Sequence, residues 1–269
     1  MTQLSELGKG RDLFVNLTLR ELRGKYKRSA LGWGWSLLNP LATMAIFTLV
    51  FSVLLEAKPD PGDPSGLDVF ALFLLCGLLP WNYLSNAMNG GMASLVANAG
   101  LVKKVYFPRE LLVASSVAAW LVTLCIEMAL LAIVLIGFGN MTLPWLPAVI
   151  ALMAIQTAFV MGIALALSVM NVYFRDMEHL LSIILQFWFY ATPIIYPAEL
   201  VKEHLDSWAY QVYAANPMAH FVEAYRNLLY DLRAPTAGNL AYLTVVSAAS
   251  LATGWGVFNR YQGRIAEEL

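Results

Sequence analysis

Few side chains in this 269-residue sequence have the type and spacing that bond-making chemistry demands. The three histidines, His179, His204 and His220, do not lie at metal-ligand spacing from one another. Cys76 and Cys125 sit inside apolar runs at no zinc or redox spacing and read as small hydrophobes. No phosphate-cradling G-x-x-x-x-G-K-[ST] loop, G-x-S-x-G elbow, H-E-x-x-H pair or Gly-rich dinucleotide fingerprint occurs. The expectation is no catalytic residue, no metal and no bound cofactor. Asp176, Glu178 and His179 stand together at the edge of an apolar run and read as interfacial charge. Glu127 differs, being an acid deep inside such a run. An ionised carboxylate at mid-bilayer costs several kcal/mol, so Glu127 is a functional candidate unless it is protonated or paired within a helix bundle.

The aromatic residues form a second constellation. Phe187, Trp188, Phe189 and Tyr190 are consecutive, and Tyr196 follows. Trp33, Trp35, Trp81 and Tyr83 lie near the ends of two other apolar runs. A belt at the headgroup level explains Trp33, Trp35 and Trp81. Four consecutive rings cover every side of a helix, so at least one must face the interior. Flat rings stack on the C–H faces of sugars without fixing register, which suits a sliding sugar polymer.

The elements that must carry these residues follow from composition. Hydrophobic residues make up 59%, charged residues 13%, and mean hydropathy is +0.62. Soluble domains carry about 25% charged residues. The balance excludes a disordered chain, a nucleic-acid-binding protein and an ordinary soluble enzyme, and it indicates an all-α integral membrane protein. Six runs are candidate spans: 34–55, 69–88, 111–138, 148–170, 180–196 (which is short) and 240–258. They leave no room for a separate soluble unit, so residues 1–269 read as one transmembrane domain. About thirty polar and amphipathic residues precede the first run, unlike a cleavable signal. Thirteen of the 17 basic residues fall on one side of this arrangement: Lys9, Arg11, Arg20, Arg23, Lys25, Lys27 and Arg28, then Lys103, Lys104 and Arg109, then Arg175, Arg260 and Arg264. Lys58, Lys202, Arg226 and Arg233 fall on the other. The bias predicts that both termini are cytoplasmic.

Three segments do not span. Over 8–30, Val15, Leu19, Leu22 and Tyr26 recur as one helical face beside Arg20, Arg23 and Lys27, predicting a basic amphipathic helix that anchors at the membrane surface or also seats a cytoplasmic partner. The loop from Asn89 to Arg109 opens on Asn89-Gly90-Gly91 and carries Leu101, Val102, Tyr106 and Phe107 beside Lys103 and Lys104. A short helix closed by Pro108, greasy and basic, suits docking, although the lysines also obey the positive-inside rule. In the outer segment 197–233, Phe221, Tyr225, Leu228 and Leu232 recur at helical spacing after an Asn216-Pro217 start signal. Two short helices there either lie on the outer surface or dip back into the membrane.

Four blocks in order now resemble one family. They are Arg20-Glu21-Leu22-Arg23-Gly24-Lys25-Tyr26-Lys27-Arg28-Ser29-Ala30-Leu31-Gly32-Trp33 leading to Leu38-Asn39-Pro40; Leu79-Pro80-Trp81-Asn82-Tyr83 with Leu101-Val102-Lys103-Lys104-Val105-Tyr106-Phe107-Pro108; Asn171-Val172-Tyr173-Phe174-Arg175-Asp176 with Thr192-Pro193-Ile194-Ile195-Tyr196-Pro197; and Asn216-Pro217-Met218 with Glu223-Ala224-Tyr225-Arg226. The sequence is similar to the membrane subunit of type-2 ABC exporters for polysaccharides, the group that exports O-antigen and wall teichoic acid.

That resemblance implies a homodimer of six-span subunits on two cytoplasmic ATPase subunits, which use the ATP and Mg²⁺. It implies a polyprenyl-diphosphate-linked glycan or teichoic acid as substrate, carried outward across the bacterial cytoplasmic membrane. The N-terminal helix becomes an interface helix. Leu101, Val102, Lys103, Lys104 and Tyr106 form one coupling element, and Arg175 with Asp176 a second. The outer pair of helices becomes a re-entrant hairpin between spans five and six. Trp81, Tyr83, Phe187, Trp188, Tyr190 and Tyr196 are then candidates for the glycan path, and Arg20, Arg23, Lys25 and Arg28 for attracting the lipid diphosphate. The alternatives are an integral membrane glycosyl- or acyltransferase, which needs a carboxylate or histidine cluster at the surface, and a secondary transporter, which needs paired intramembrane charges.

Overall fold

The computed structural model describes residues 2–25, 32, 34–50, 61–105, 107–196, 211 and 213–269. Among the described residues all regular structure is helical. In chain order the helices are α1 (Thr2–Lys25), α2 (Gly34–Phe47), α3 (Phe70–Ala97), α4 (Ala99–Lys104), α5 (Glu110–Gly137), α6 (Leu146–Tyr173), α7 (Met177–Tyr190), α8 (Pro217–Arg226), α9 (Ala237–Tyr261) and α10 (Ile265–Glu268). Among the described residues four segments are long and apolar enough to cross a membrane: α3, α5, α6 with its lead-in from Leu143, and α9. A bilayer core offers backbone groups no partner, so these apolar runs close their hydrogen bonds internally as helices.

Contacts along the helices set their directions. The Pro80 carbonyl meets Gln156 and the Met92 carbonyl meets Asn171, so α3 and α6 run the same way. Ser250 bonds the Phe159 carbonyl and Tyr261 lies edge-on to Tyr173, so α9 runs the same way again. Gly91 faces Val113, whereas the first residues of α3 share a cavity wall with the last of α5, so α5 runs opposite. Because α6 and α9 are parallel, the chain from 174 to 236 must return through the full depth. α7 has 14 residues, about 21 Å, and stops short.

The expected span 180–196 is therefore not one helix. It ends at Tyr190, and residues 191–196 form a corner. Pro193 disfavours helical geometry at Thr192 and lacks an N–H to continue the ladder. The return is completed by α8, capped by Asn216, whose side chain accepts from the Met218 N–H, with Pro217 at the first helical position. Phe221 packs against Phe159, Tyr225 bonds Gln156, and Tyr230 reaches the N–H of Val69 just before α3. α8 thus starts beside the middle of α6 and climbs to the end where α3 begins.

Two further expectations change. Asn89-Gly90-Gly91 does not open a loop, because α3 continues to Ala97. A Cβ on Gly90 would fall 2.7 Å from Ser116 Oγ, and one on Gly91 2.7 Å from the Ala164 Cβ. These glycines admit α5 and α6 to close approach. Among the described side chains of α1, Leu17, Thr18 and Leu22 are buried, while Val15 and Leu19 face outward. Among its described members, the apolar stripe read from spacing shares Leu22 with the bundle contact, and Tyr26 lies outside the described residues. The expected first span is helical from Gly34 to Phe47 with a π turn to Val50, and its remainder to residue 55 lies outside the described residues, as do 26–30 of the N-terminal helix.

The tightest crossing joins α6 and α9. A Cβ on Gly162 would overlap the Ser250 backbone, and one on Gly254 would overlap Gly162. Only glycine lets these two helices meet, the close approach on which helix association in lipid depends.

Candidate functional site

An aromatic cluster occupies the middle of the bundle. Trp81 of α3 is buried and meets Trp188 edge-to-face at 5.9 Å and Phe189 at 5.6 Å between centroids. Phe159 lies 6.4 Å from Trp188, and Phe47 of α2 lies 6.5 Å from Phe189. Edge-to-face pairs add about 0.5–1.5 kcal/mol each beyond area burial. The run of four rings is thereby divided: Trp188 and Phe189 turn inward, while Phe187 and Tyr190 are 75% and 61% exposed. Tyr196 is half-buried and donates to the Tyr190 carbonyl at 2.7 Å.

Polar side chains stitch this region together. Tyr83 is buried and donates to Thr157 Oγ1 at 3.0 Å. Gln156, fully buried, donates to the Pro80 carbonyl at 2.9 Å and accepts from the Tyr225 hydroxyl at 2.9 Å. Arg226, placed on the outer surface by its position in the chain, is only 7% exposed. Its guanidinium lies 3.6 Å over the Phe73 ring and donates to the Pro193 and Ile194 carbonyls at 2.6 and 2.7 Å. Sequence reasoning missed this role. Its trace is an arginine one helical turn after Val222, the two side chains meeting Gly77 together.

The ends of α3, α4, α6, α9 and α10 meet at the end of the bundle that holds most of the basic side chains among the described residues. α10 packs on α4, and Ile265 and Val102 are both buried there. Arg109 donates to the Gln262 carbonyl. Arg20 ties α1 to this assembly by donating to Asn98 Oδ1 at 2.7 Å, and it pairs with Glu21 at 3.1 Å. Arg23, Lys103, Lys104, Arg175 and Asp176 are exposed, Leu101 is half-buried, and Val105 and Phe174 expose 52% and 65% of their surface. The surface is both apolar and cationic. Arg28 and Tyr106 lie outside the described residues.

Lys25 does not point to solvent. Its ammonium sits 3.1 Å over the Trp120 ring, 3.3 Å from both the Ala119 carbonyl and Thr123 Oγ1. Burial pulls the Lys25 ammonium down to about 7, with Glu127 and then Glu21 opposing the shift. Glu127 follows one turn after Thr123, is 8% exposed, and edges a cavity of about 200 Å³ between α2, α3 and α5. Pro40, Met44, Leu72, Leu75 and Val134 make its walls apolar. Among the described residues no three His, Cys, Asp or Glu side chains gather to hold a metal.

Comparison with known proteins places this geometry. Residues 12–230 match the family described as ABC-2 type transporter. The chain is 30% identical over 264 residues, 98% of each protein, to the O-antigen export system permease protein RfbA of Myxococcus xanthus. It is 29% identical over 262 residues to a protein of the same name from Klebsiella pneumoniae, covering 96% of this chain and 95% of the relative. It is 25% identical over 252 residues, 90% of each protein, to the polysialic acid transport protein KpsM of Escherichia coli.

Proposed function

The chain belongs to the ABC-2 type transporter family, and from that premise we propose that it is the permease subunit of an ATP-driven exporter for a polyprenyl-diphosphate-linked polysaccharide. The observation that carries this reading is near full-length similarity to proteins named as O-antigen export permeases. In it, six crossings form from α2, α3, α5, α6, the composite of α7 with α8, and α9. α8 is one arm of the re-entrant hairpin, supported by its climb from the middle of α6, and residues 197–210, where the other arm is expected, lie outside the described residues. Two copies of the chain form the channel in the bacterial inner membrane, with both termini in the cytoplasm.

Two copies of a cytoplasmic ATPase bind at the basic end and supply ATP hydrolysis and its Mg²⁺. Their docking surface is α4 with Lys103 and Lys104, together with Arg175 and Asp176. Exposed Arg23 and Arg20 draw the lipid diphosphate toward the bilayer surface, a charge-assisted contact. The outward rings of α7, Phe187 and Tyr190, face the glycan path. The ATPase cycle is felt as differential binding to two shapes of the bundle.

The test is co-purification of the tagged chain with the cognate ATPase, then ATPase assay with and without lipid-linked glycan. The proposal expects a stable complex and glycan-stimulated hydrolysis. A chain that captures no ATPase sinks it. Arg20→Glu with Arg23→Glu is expected to raise the glycan concentration needed for stimulation, and an unchanged requirement removes these residues from the entrance.

A further inference from the structure

The corner at 191–196 is fixed far more firmly than the helix that leads into it. Asn216 uses its whole hydrogen-bonding capacity there. Its Oδ1 accepts from Trp188 Nε1 at 2.7 Å and from the Met218 N–H at 3.0 Å. Its Nδ2 donates to the Ala191 carbonyl and to Thr192 Oγ1, both at 3.1 Å. At the other end of α8, ten residues on, Arg226 holds the Pro193 and Ile194 carbonyls against the Phe73 ring. A Cβ on Gly77 would lie 3.3 Å from Arg226 Nη2 and 3.0 Å from Val222, so the guanidinium is seated in a fitted slot on α3. α8 itself is nailed to α6 through Tyr225 and Gln156 and through Phe221 and Phe159.

Below the corner α7 is loosely held. It buries only Met177, Leu181 and Leu185, one narrow stripe, while Leu180, Ile183, Ile184 and Phe187 are about half exposed or more. Its start adjoins the exposed Arg175 and Asp176. A rod fixed at one end and lightly packed along its length has one soft motion, a swing of the free end.

We propose that Asn216 and Arg226 are positioning residues that make the corner a fixed pivot for α7, so that the ATPase cycle swings the basic end of α7 while its other end and α8 stay still. The proposal rests on the export-permease reading and deepens it by naming which end of α7 moves. With α7 about 21 Å long, a tilt of about 10° displaces its base by about 4 Å and its top hardly at all.

Spin labels test it in the permease–ATPase complex, in a Cys76→Ala, Cys125→Ala background. One pair joins Leu180→Cys to Val245→Cys, the other Tyr190→Cys to Val245→Cys, all three positions being exposed. Between nucleotide-free and ATP-bound states, the first distance is expected to shift by about 3 Å, since Leu180 lies about 15 Å from Tyr190, and the second to stay within about 1 Å. A second distance that shifts as much as the first, or two static distances, overturns the pivot. Asn216→Ala and Arg226→Met are each expected to let the Tyr190 label move and to cut glycan exported per ATP by about tenfold. Unchanged coupling in an assembled Asn216→Ala complex also overturns it, even where Arg226→Met fails to assemble. A wild-type complex that hydrolyses ATP but exports no glycan refutes the export reading instead, and the two wild-type distances still decide the pivot.

Discussion

Lys25 is held by three groups of α5 at once, and replacing it with an acid turns two of them, the Trp120 ring and the Ala119 carbonyl, against it. Lys25→Glu places a carboxylate over the face of the Trp120 ring, beside the Ala119 carbonyl and toward Glu127. The expected result is about tenfold faster amide exchange across 13–25, close to 1.4 kcal/mol of lost docking. The wild-type contact also carries a pH signature. Docked, the Lys25 amine titrates near 7, whereas undocked it returns to its ordinary 10.5. Between those values the undocked state binds more protons, so docking of α1 strengthens as pH rises from about 7 to about 10.5. Exchange corrected for intrinsic rates measures this slope, and Lys25→Met is expected to abolish it. Gln156 makes a simpler case. Gln156→Leu strands the Tyr225 hydroxyl and removes a donor from the Pro80 carbonyl, an expected loss of about 1–3 kcal/mol seen as a lower unfolding temperature in nanodiscs. Neither residue's role was legible beforehand. The sequence offers Lys25 only among the cations for the lipid diphosphate and does not single out Gln156, because a partner more than sixty positions away leaves no local trace.

At the scale of the helices, glycine decides who may touch whom. Gly254→Val drives a branched side chain into the backbone of α6, while Gly256, one position beyond the next, meets nothing within 4 Å. The expected outcome is loss of monodisperse protein for Gly254→Val and near-normal yield for Gly256→Val, read by size-exclusion chromatography. Hydropathy located α3, α5, α6 and α9 because a span needs only length and apolarity. It misread Gly90 and Gly91, since glycine in a membrane helix signals close packing as often as a turn. It overran α7 to Tyr196 because Thr192–Tyr196 is as apolar as a span, although Pro193 marks the stop. The four-ring run was legible as a site, but which rings face inward depends on Trp81 and Phe159, on other helices.

For the whole molecule, the asymmetry of charge is the organising fact. In a chain with 13% charged residues, most of the cations among the described residues stand at the end where α3, α6 and α9 finish and α4 projects. That end exposes apolar and basic groups together, the combination that makes an interface core with a charged rim. Lys103→Glu combined with Lys104→Glu and Arg175→Glu is expected to weaken ATPase capture more than tenfold while leaving thermal stability within about 0.5 kcal/mol, because all three side chains are exposed. The most direct measurement joins every part of the account. Purified permease and its ATPase are reconstituted into vesicles loaded with polyprenyl-diphosphate-linked glycan, and appearance of glycan on the opposite face is followed after ATP is added. ATP-dependent transfer that needs both subunits is the expected result. Transfer without the ATPase, or hydrolysis by the assembled complex with no transfer, contradicts it.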